Sequence, residues 1–391
     1  MLRQLARDAR MRVLAALELP GRAKGLPAQP PIPVPGASLA LSLAGLFDEP
    51  SGLGQSARSL ASALSSQGIA VQRLNLADAG EVAHARHGQG PPINLVHLNA
   101  DAMRRTHARL GPHFYEKRRT IGYWYWELAQ FRRDWHHAFR YVHEVWVATD
   151  FVRQALAPHA GHVPVVCLPP PVTAPMRAPV GRSHFGLPDD RVLFLFAFDA
   201  ASQEARKNPQ AAIAAFAQAA VHPRAHLALK VINGEAGRGT WRRHGHAGIT
   251  VLDGTMSAED VGALWHLADC YVSLHRAEGF GLTVAEALAA GRPVIATDYG
   301  GVTDYLDSEV GWPVPWREVA IEEDCGPYLA GWLWAEPDVA AAARAMQEVT
   351  TNLTEARTRG ARARERMQVR YAEDVCGAAF RRRLESPQGP A

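Results

Sequence analysis

The stretch from Cys270 to Thr297 constrains this chain more than any other. Cys270 to Leu274 reads as an apolar, buried strand, and the glycine-rich bend His275-Arg276-Ala277-Glu278-Gly279-Phe280-Gly281-Leu282-Thr283 follows it. Val284 to Ala290 reads as an apolar helix that stops at Gly291, and Pro293 to Thr297 as a second strand. Strand, loop, helix, strand is a βαβ unit, whose ligands sit at the carboxyl ends of its parallel strands. Gly279 and Gly281 let the backbone approach a ligand closely, and the first-turn amides of the helix carry a partial positive charge suited to phosphate. Glu278 and Glu286 stand eight residues apart across the bend. Carboxylates accept hydrogen bonds from vicinal hydroxyls, so the pair can hold a hexose and a ribose. Two structural readings compete with this one. Thr283 and Glu286 have the spacing of a capping box, and Arg276 is a ready salt-bridge partner for Glu278.

The same alternation runs along most of the chain. Leu39 to Phe47, Ala70 to Leu76, Asn94 to Leu98, Thr120 to Trp126, Val145 to Ala148 and Pro164 to Leu168 read as strands, with a helix from Gln55 to Ser66. A turn-rich connection, Pro169 to Pro188, leads to a second series at Val192 to Phe198, Leu227 to Ile232 and Ile249 to Leu252, continuing through the βαβ unit. Strands alternating with helices make parallel sheets covered on both faces. The expected architecture is therefore α/β, with two doubly wound, Rossmann-like domains facing one another across a cleft. From Glu336 to about Leu384 the pattern is mostly helical. The domains are expected at 37–175 and 176–360, followed by C-terminal helices and a tail at 361–391.

Residues 1–36 form a separate arm. Arg3, Arg7, Arg10 and Arg12 interleave with Leu2, Leu5, Met11, Val13, Leu14 and Leu17, and a proline-rich linker runs from Leu26 to Pro35. A basic amphipathic helix of this kind can rest on an anionic membrane surface or stay solvated or docked, and both readings stand open.

Composition excludes several classes of function. A formal charge of +3 over 391 residues gives no electrostatic case for nucleic acid. Cys167, Cys270, Cys325 and Cys376 are scattered without a CxxC pair, which points to a reducing, cytoplasmic compartment and away from a zinc site. No run approaches the roughly 18 apolar residues that span a bilayer. Nothing resembles a metal centre or a pyridoxal phosphate lysine, so neither metal nor resident cofactor is expected.

Three further patterns bear on chemistry. In Arg206-Lys207-Asn208-Pro209, Asn208 is a good N-cap and Pro209 is well placed at the first helical position. Two cations at a helix N-terminus, where the backbone favours anions, suggest that an external diphosphate completes the site. An exposed basic turn paired with Glu204 is the alternative. Pro50 to Arg58, containing Gly54, is a short glycine signature opening a helix, or a plain tight turn. Gly122-Tyr123-Trp124-Tyr125-Trp126-Glu127, with Phe131, Trp135 and Trp146 beyond, offers aromatic planes on which sugar rings stack. Glu127 can orient or deprotonate a hydroxyl there, or be the rim carboxylate of an ordinary core. His97 is a pocket candidate or a satisfied structural histidine.

Taken together, these residues resemble the retaining glycosyltransferases of family 4, whose GT-B architecture pairs two Rossmann-like domains around the active site. The resemblance spans about Ser38 to Leu384. It rests on the Glu-x7-Glu motif at Glu278 and Glu286, on Ala296-Thr297-Asp298-Tyr299-Gly300-Gly301, on Arg206-Lys207-Asn208-Pro209, and on the stretch ending at Glu127. Trp334-Ala335-Glu336-Pro337-Asp338 adds to it, and with the Glu127 stretch looks like the bacterial branch that builds surface polysaccharides. The resemblance implies that Glu278 serves the donor hexose, Glu286 the ribose, and Arg206 and Lys207 the diphosphate. It gives sugar and phosphate to the backbone around Gly279, Phe280, Gly281 and Leu282. Gly54 is counted with the donor-binding positions, and Lys207, Arg206, Glu278 and Glu127 form the expected catalytic set.

The resemblance also implies a last helix that crosses back to the first domain, and metal-independent chemistry with retention at the anomeric carbon. The donor would be GDP-mannose or a UDP-hexose, and the acceptor a saccharide or lipid-linked glycan. Two departures stand out. Ala197-Phe198-Asp199 replaces the Gly-Arg of many relatives, and no histidine of the first domain matches theirs, which leaves that role to Glu127. A sugar-nucleotide epimerase of the same architecture and a non-catalytic nucleotide-sugar-binding subunit are the competing functions.

Overall fold

The computed structural model describes Leu26 and residues 39–219, 224–236, 239 and 247–385. The basic arm and the proline-rich linker, apart from Leu26, lie outside the described residues. So do the last residues of the tail.

Two six-stranded, wholly parallel sheets organise the chain. The first has the order β2-β1-β3-β4-β5-β6, with β1 Ala40–Gly45, β2 Ala70–Asn75, β3 Ile93–His97, β4 Arg119–Trp124, β5 Glu144–Val147 and β6 Val165–Cys167. The second has the order β12-β11-β10-β7-β8-β9, with β7 Val192–Asp199, β8 Ala225–Ile232, β9 Ile249–Asp253, β10 Cys270–Ser273, β11 Val294–Thr297 and β12 Gly311–Val314. Strands buried on both faces carry continuous apolar runs. β7 is the clearest case, because Val192 through Phe198 are all buried. The strand order reverses beside β1 in one sheet and beside β7 in the other. Such switch points open a crevice at the carboxyl ends of the strands.

A small antiparallel hairpin of β13 Trp316–Ala320 and β14 Leu333–Pro337 leaves the second domain after β12. Its residues Ile321, Tyr328, Trp334 and Ala335 join the apolar cluster built by Trp126, Leu128 and Phe131 of the first domain. It thus straps the domains together beside the cleft.

The C-terminal helix Glu373–Glu385 returns to the first domain and packs on the Gly52–Ser66 helix. Cys376, Phe380 and Leu384 enter the core around Leu41, Leu60 and Trp146, and Phe380 stacks on the Trp146 ring at 5.6 Å and 7°. A buried carboxylate fixes this helix in place. Glu144 accepts hydrogen bonds from Arg119 (2.5 Å), from Arg383 (2.6 Å) and from the indole N–H of Trp146 (2.7 Å). No helix among the described residues is long and apolar enough to cross a membrane.

Candidate active site

The glycine-rich bend is stitched to both domains by its own backbone. Gly281 takes the left-handed φ of +79° and caps the helix Leu282–Ala289, which begins two residues earlier than its apolar run suggests. Without a side-chain cap at this end, the capping-box reading of Thr283 and Glu286 fails. Glu286 lies in the second turn, free for another partner. A Cβ on Gly279 would collide with the backbone oxygen of Trp126, so only glycine lets β4's exit loop approach this closely. Thr149 of the first domain donates its hydroxyl to the Gly279 carbonyl at 2.8 Å, and the Gly301 amide donates to the Glu278 carbonyl at 2.7 Å. Phe280 turns inward and packs edge-on against Tyr305 and Tyr371, so its contribution at the surface of the bend is backbone alone.

Glu278 sits where two cations converge. Lys207 contacts its Oε1, and the Arg206 guanidinium lies 3.1 Å from the same atom. Burial by itself would raise the Glu278 carboxyl, but Lys207 and Arg206 more than reverse this and hold it at about 2. Burial conversely pulls the Lys207 ammonium below its usual value in spite of Glu278. Arg206 is also fastened to the backbone, through Ala277 O at 2.8 Å and Ser202 O at 3.2 Å. Behind the cluster, buried His275 lies 3.1 Å from Tyr299 O through Nε2 and 3.1 Å from the Ser273 hydroxyl through Nδ1. A carbonyl needs a donor, so the proton sits on Nε2. Burial drops His275 to about 4, which keeps it neutral.

Arg206 and Lys207 occupy the last turn of the short helix Glu204–Lys207, and Asn208 is its left-handed C-cap at φ 54°. The next helix, Pro209–Ala219, begins where expected, directly after the two cations, but Asn208 leads into it through a left-handed turn and not as an extended N-cap. Their placement comes from the turn and from Glu278. Arg206 is only 6 % exposed, so the picture of an exposed basic turn also falls. Arg276 belongs elsewhere too. It binds Glu336 at 2.6 Å and lies over the Trp334 ring at 5.3 Å, joining the bend to the hairpin instead of neutralising Glu278.

The first domain supplies the opposite wall. Glu127, just past β4, is half-buried and acts electrostatically on both Arg206 and Lys207. Its Oε2 accepts a hydrogen bond from the hydroxyl of Tyr328, a residue of the hairpin, at 3.0 Å. Glu286 accepts a hydrogen bond from the side-chain amide of Gln55 on the first domain's Gly52–Ser66 helix. Burial pushes Glu286 up to about 7 against the lowering pull of that hydrogen bond. Gly54, one residue earlier, packs against its own loop, and a Cβ there would meet the carbonyl oxygens of Glu49 and Leu46. The structure thus explains Gly54 by local packing.

His97 is buried under this wall. It stacks on Tyr123 at 5.2 Å, and its Nε2 lies 2.9 Å from the Ser56 hydroxyl, itself 2.6 Å from the Tyr125 hydroxyl. Its Nδ1 has no hydrogen-bond partner, and burial lowers it to about 4. Trp124 and Trp146 are core residues. Trp135 stays partly exposed beside Trp126. Among the described residues, no group of three or more His, Cys, Asp or Glu side chains could hold a metal ion.

Comparison with solved structures identifies the fold. Sucrose-phosphate synthase from Thermosynechococcus elongatus superposes with a TM-score of 0.67 at 18 % identity, over 90 % of this chain and all of that one. HepE of Anabaena, in complex with UDP and glucose, gives 0.66 at 14 % identity over 89 % of this chain and all of its own. The fold is GT-B. A glycosyltransferase from Rickettsia africae shares the GT-B arrangement at a TM-score of 0.66 and 13 % identity, over 91 % of this chain and 100 % of that one. Residues 186–366 match the family model described as glycosyl transferases group 1, a span that holds Arg206, Lys207, Glu278 and Glu286. No curated protein sequence matches the chain.

Two members of the site carry no motif of their own in the sequence. Gln55 reads there as the first residue of a helix, and its polar side chain beside Gly54 is the one local hint. Tyr328 sits in a connection with no periodic signal, and only the fold brings it to Glu127.

Proposed function

We propose that the chain is a retaining glycosyltransferase that moves a hexose from a nucleoside-diphosphate sugar to a saccharide or lipid-linked glycan acceptor. One observation carries this reading: a buried carboxylate, Glu278, is gripped by Arg206 and Lys207 at the glycine-rich bend. Such a cluster is built to exchange partners. A diphosphate arriving at the bend takes over the two cations, and Glu278 turns to the hydroxyls of the donor sugar. Glu286 takes the ribose hydroxyls once Gln55 withdraws. The amides at the start of the Leu282–Ala289 helix add partial positive charge for the phosphates.

Transfer proceeds on one face of the sugar. The acceptor oxygen bonds to the anomeric carbon as the bond to diphosphate breaks, the bonding electrons leave with the diphosphate, and a departing phosphate oxygen takes the acceptor proton. Lys207, Arg206 and the helix N-terminus stabilise the charge that develops, with no metal ion in this reading. The complex of HepE with UDP and glucose makes a UDP-hexose the first donor to try, with GDP-mannose second. The chain acts in this reading in the cytoplasm, in surface-polysaccharide synthesis, with its basic arm resting on the inner face of the membrane.

A thermal-shift panel of UDP-glucose, UDP-galactose, UDP-N-acetylglucosamine and GDP-mannose tests donor binding. At least one nucleotide sugar, present well above its Kd, raises the melting temperature by several degrees. A panel that stabilises nothing removes the proposal.

A further inference from the structure

The strap formed by β13, β14 and their connection reaches from the second domain into the aromatic cluster of the first. At its inner face the Tyr328 hydroxyl donates to Glu127 Oε2 at 3.0 Å. The contact is specific and sheltered. The Tyr328 ring is 3 % exposed and tilts against Trp126 with centroids 5.8 Å apart. On either side, Arg132 of the first domain bonds Pro327 O at 3.1 Å, and the Leu333 amide bonds Gln130 Oε1 at 3.1 Å. Three hydrogen bonds therefore tie a segment of the second domain to the loop that carries Glu127. The same segment is tied back to the donor side, because Arg276, two residues before Glu278, binds Glu336 on β14.

From this geometry we infer that Tyr328 is a positioning residue for sugar transfer, holding Glu127 so that its remaining oxygen, Oε1, orients the acceptor hydroxyl. The inference rests on the glycosyltransferase reading and deepens it on the acceptor side. Glu127 takes no proton in this scheme. It accepts a hydrogen bond from the acceptor hydroxyl, whose proton goes to the departing diphosphate. A carboxylate with one oxygen already engaged by a rigid, buried phenol has lost most of its rotational freedom. Its second oxygen presents a fixed direction to the substrate. The link to Glu336 and Arg276 makes that direction depend on the position of the donor bend, so donor and acceptor walls form as one unit.

The test is a double-mutant cycle on the full chain. Wild type, Tyr328→Phe, Glu127→Gln and the double variant are each given UDP-glucose, and separately UDP-galactose, UDP-N-acetylglucosamine and GDP-mannose. Methyl glycosides of glucose and mannose serve as acceptors, and UDP or GDP release is followed. Tyr328→Phe keeps the ring and removes one hydrogen bond to a charged group, so acceptor-dependent kcat falls about ten-fold while donor KM stays within about two-fold. Glu127→Gln shows the same split between kcat and donor KM, and the double variant is no slower than Glu127→Gln alone, because Tyr328 acts through Glu127. Additive losses, or a lowered melting temperature with unchanged kcat, make Tyr328 a purely structural contact and overturn the inference. Glu127→Gln is a test of its own, since normal kcat in that variant overturns the inference even where Tyr328→Phe fails to fold. Wild type that turns over no donor of the panel removes the glycosyltransferase reading itself, and this inference with it.

Discussion

Glu286 of the second domain accepts a hydrogen bond from Gln55 of the first, 231 residues away in sequence. The bond crosses the cleft and spans the position that the resemblance gives to the donor ribose. Burial there raises the carboxyl from its ordinary 4.5 to about 7. Between those two values the folded protein holds a proton that the unfolded chain has released. Stability therefore falls as pH rises through the window and levels off above it. Glu286→Gln removes this dependence. The variant is more stable than wild type at pH 8 by on the order of 3 kcal/mol and nearly equal to it at pH 4. Denaturant unfolding at the two pH values checks this, and parallel curves for the two proteins would count against it. In the proposed function the same variant raises donor KM, because an amide replaces the carboxylate assigned to the ribose hydroxyls.

Lys207→Ala cuts turnover by on the order of 100-fold or more with a modest change in donor KM, as expected for a cation that stabilises departing charge. Steady-state kinetics decide this. Near-normal kcat takes Lys207 out of the mechanism.

Glu278→Ala leaves Arg206 and Lys207 without their shared carboxylate in a buried site, a loss of roughly 3 kcal/mol. Adding Lys207→Ala removes one of the stranded cations, so the double variant is less destabilised than the sum of the single ones. Simple additivity in unfolding experiments would show that the three groups are not coupled.

Gly279→Ala pushes a methyl into the Trp126 carbonyl and separates the bend from the first domain, costing about 2 kcal/mol as overpacked sites do. Gly52→Ala is the control, since a Cβ there meets nothing within 4 Å. Thermal melts of the pair should differ clearly. Equal melting temperatures would mean that the close approach at Gly279 is dispensable.

Much of this fold is written in local patterns. Pro293 to Thr297 matches β11 to within one residue, and the other strands read from apolar runs fall within a few residues of those observed, because a strand buried on both faces leaves a continuous signature. The antiparallel hairpin left no such trace. Its strand β13 is largely exposed, its connection is long, and the burial of Trp334 and Ala335 on β14 comes from reaching the other domain. The site divides in the same way. Glu278 and Glu286 were legible because a glycine bend opening a helix has a sequence form. The partners of Glu278 are legible as a cation pair ahead of the Pro209–Ala219 helix, but not the short Glu204–Lys207 helix that carries them, because Asn208 takes a left-handed turn where the sequence suggests a cap. Gln55 and Tyr328 reach the site only through tertiary contacts, which no periodicity encodes.

Glu144 offers a separate test of the C-terminal crossover. Glu144→Ala removes the carboxylate that Arg119 and Arg383 share in the core between sheet and helix, and costs roughly 3–5 kcal/mol. Limited proteolysis then releases the Glu373–Glu385 helix earlier than the rest of the chain. Unchanged protection of that helix would mean that Phe380 and Leu384 hold it without the charges.

In the proposed reaction a sugar is transferred with retention from a donor held by Arg206, Lys207 and Glu278. Its most direct measurement is proton NMR of the wild-type reaction with the stabilising nucleotide sugar and a saccharide acceptor. The prediction is equimolar nucleoside diphosphate and a new glycoside of the donor's own anomeric configuration, both lost in Lys207→Ala. An inverted product, an epimerised donor in the absence of acceptor, or binding without turnover would contradict it.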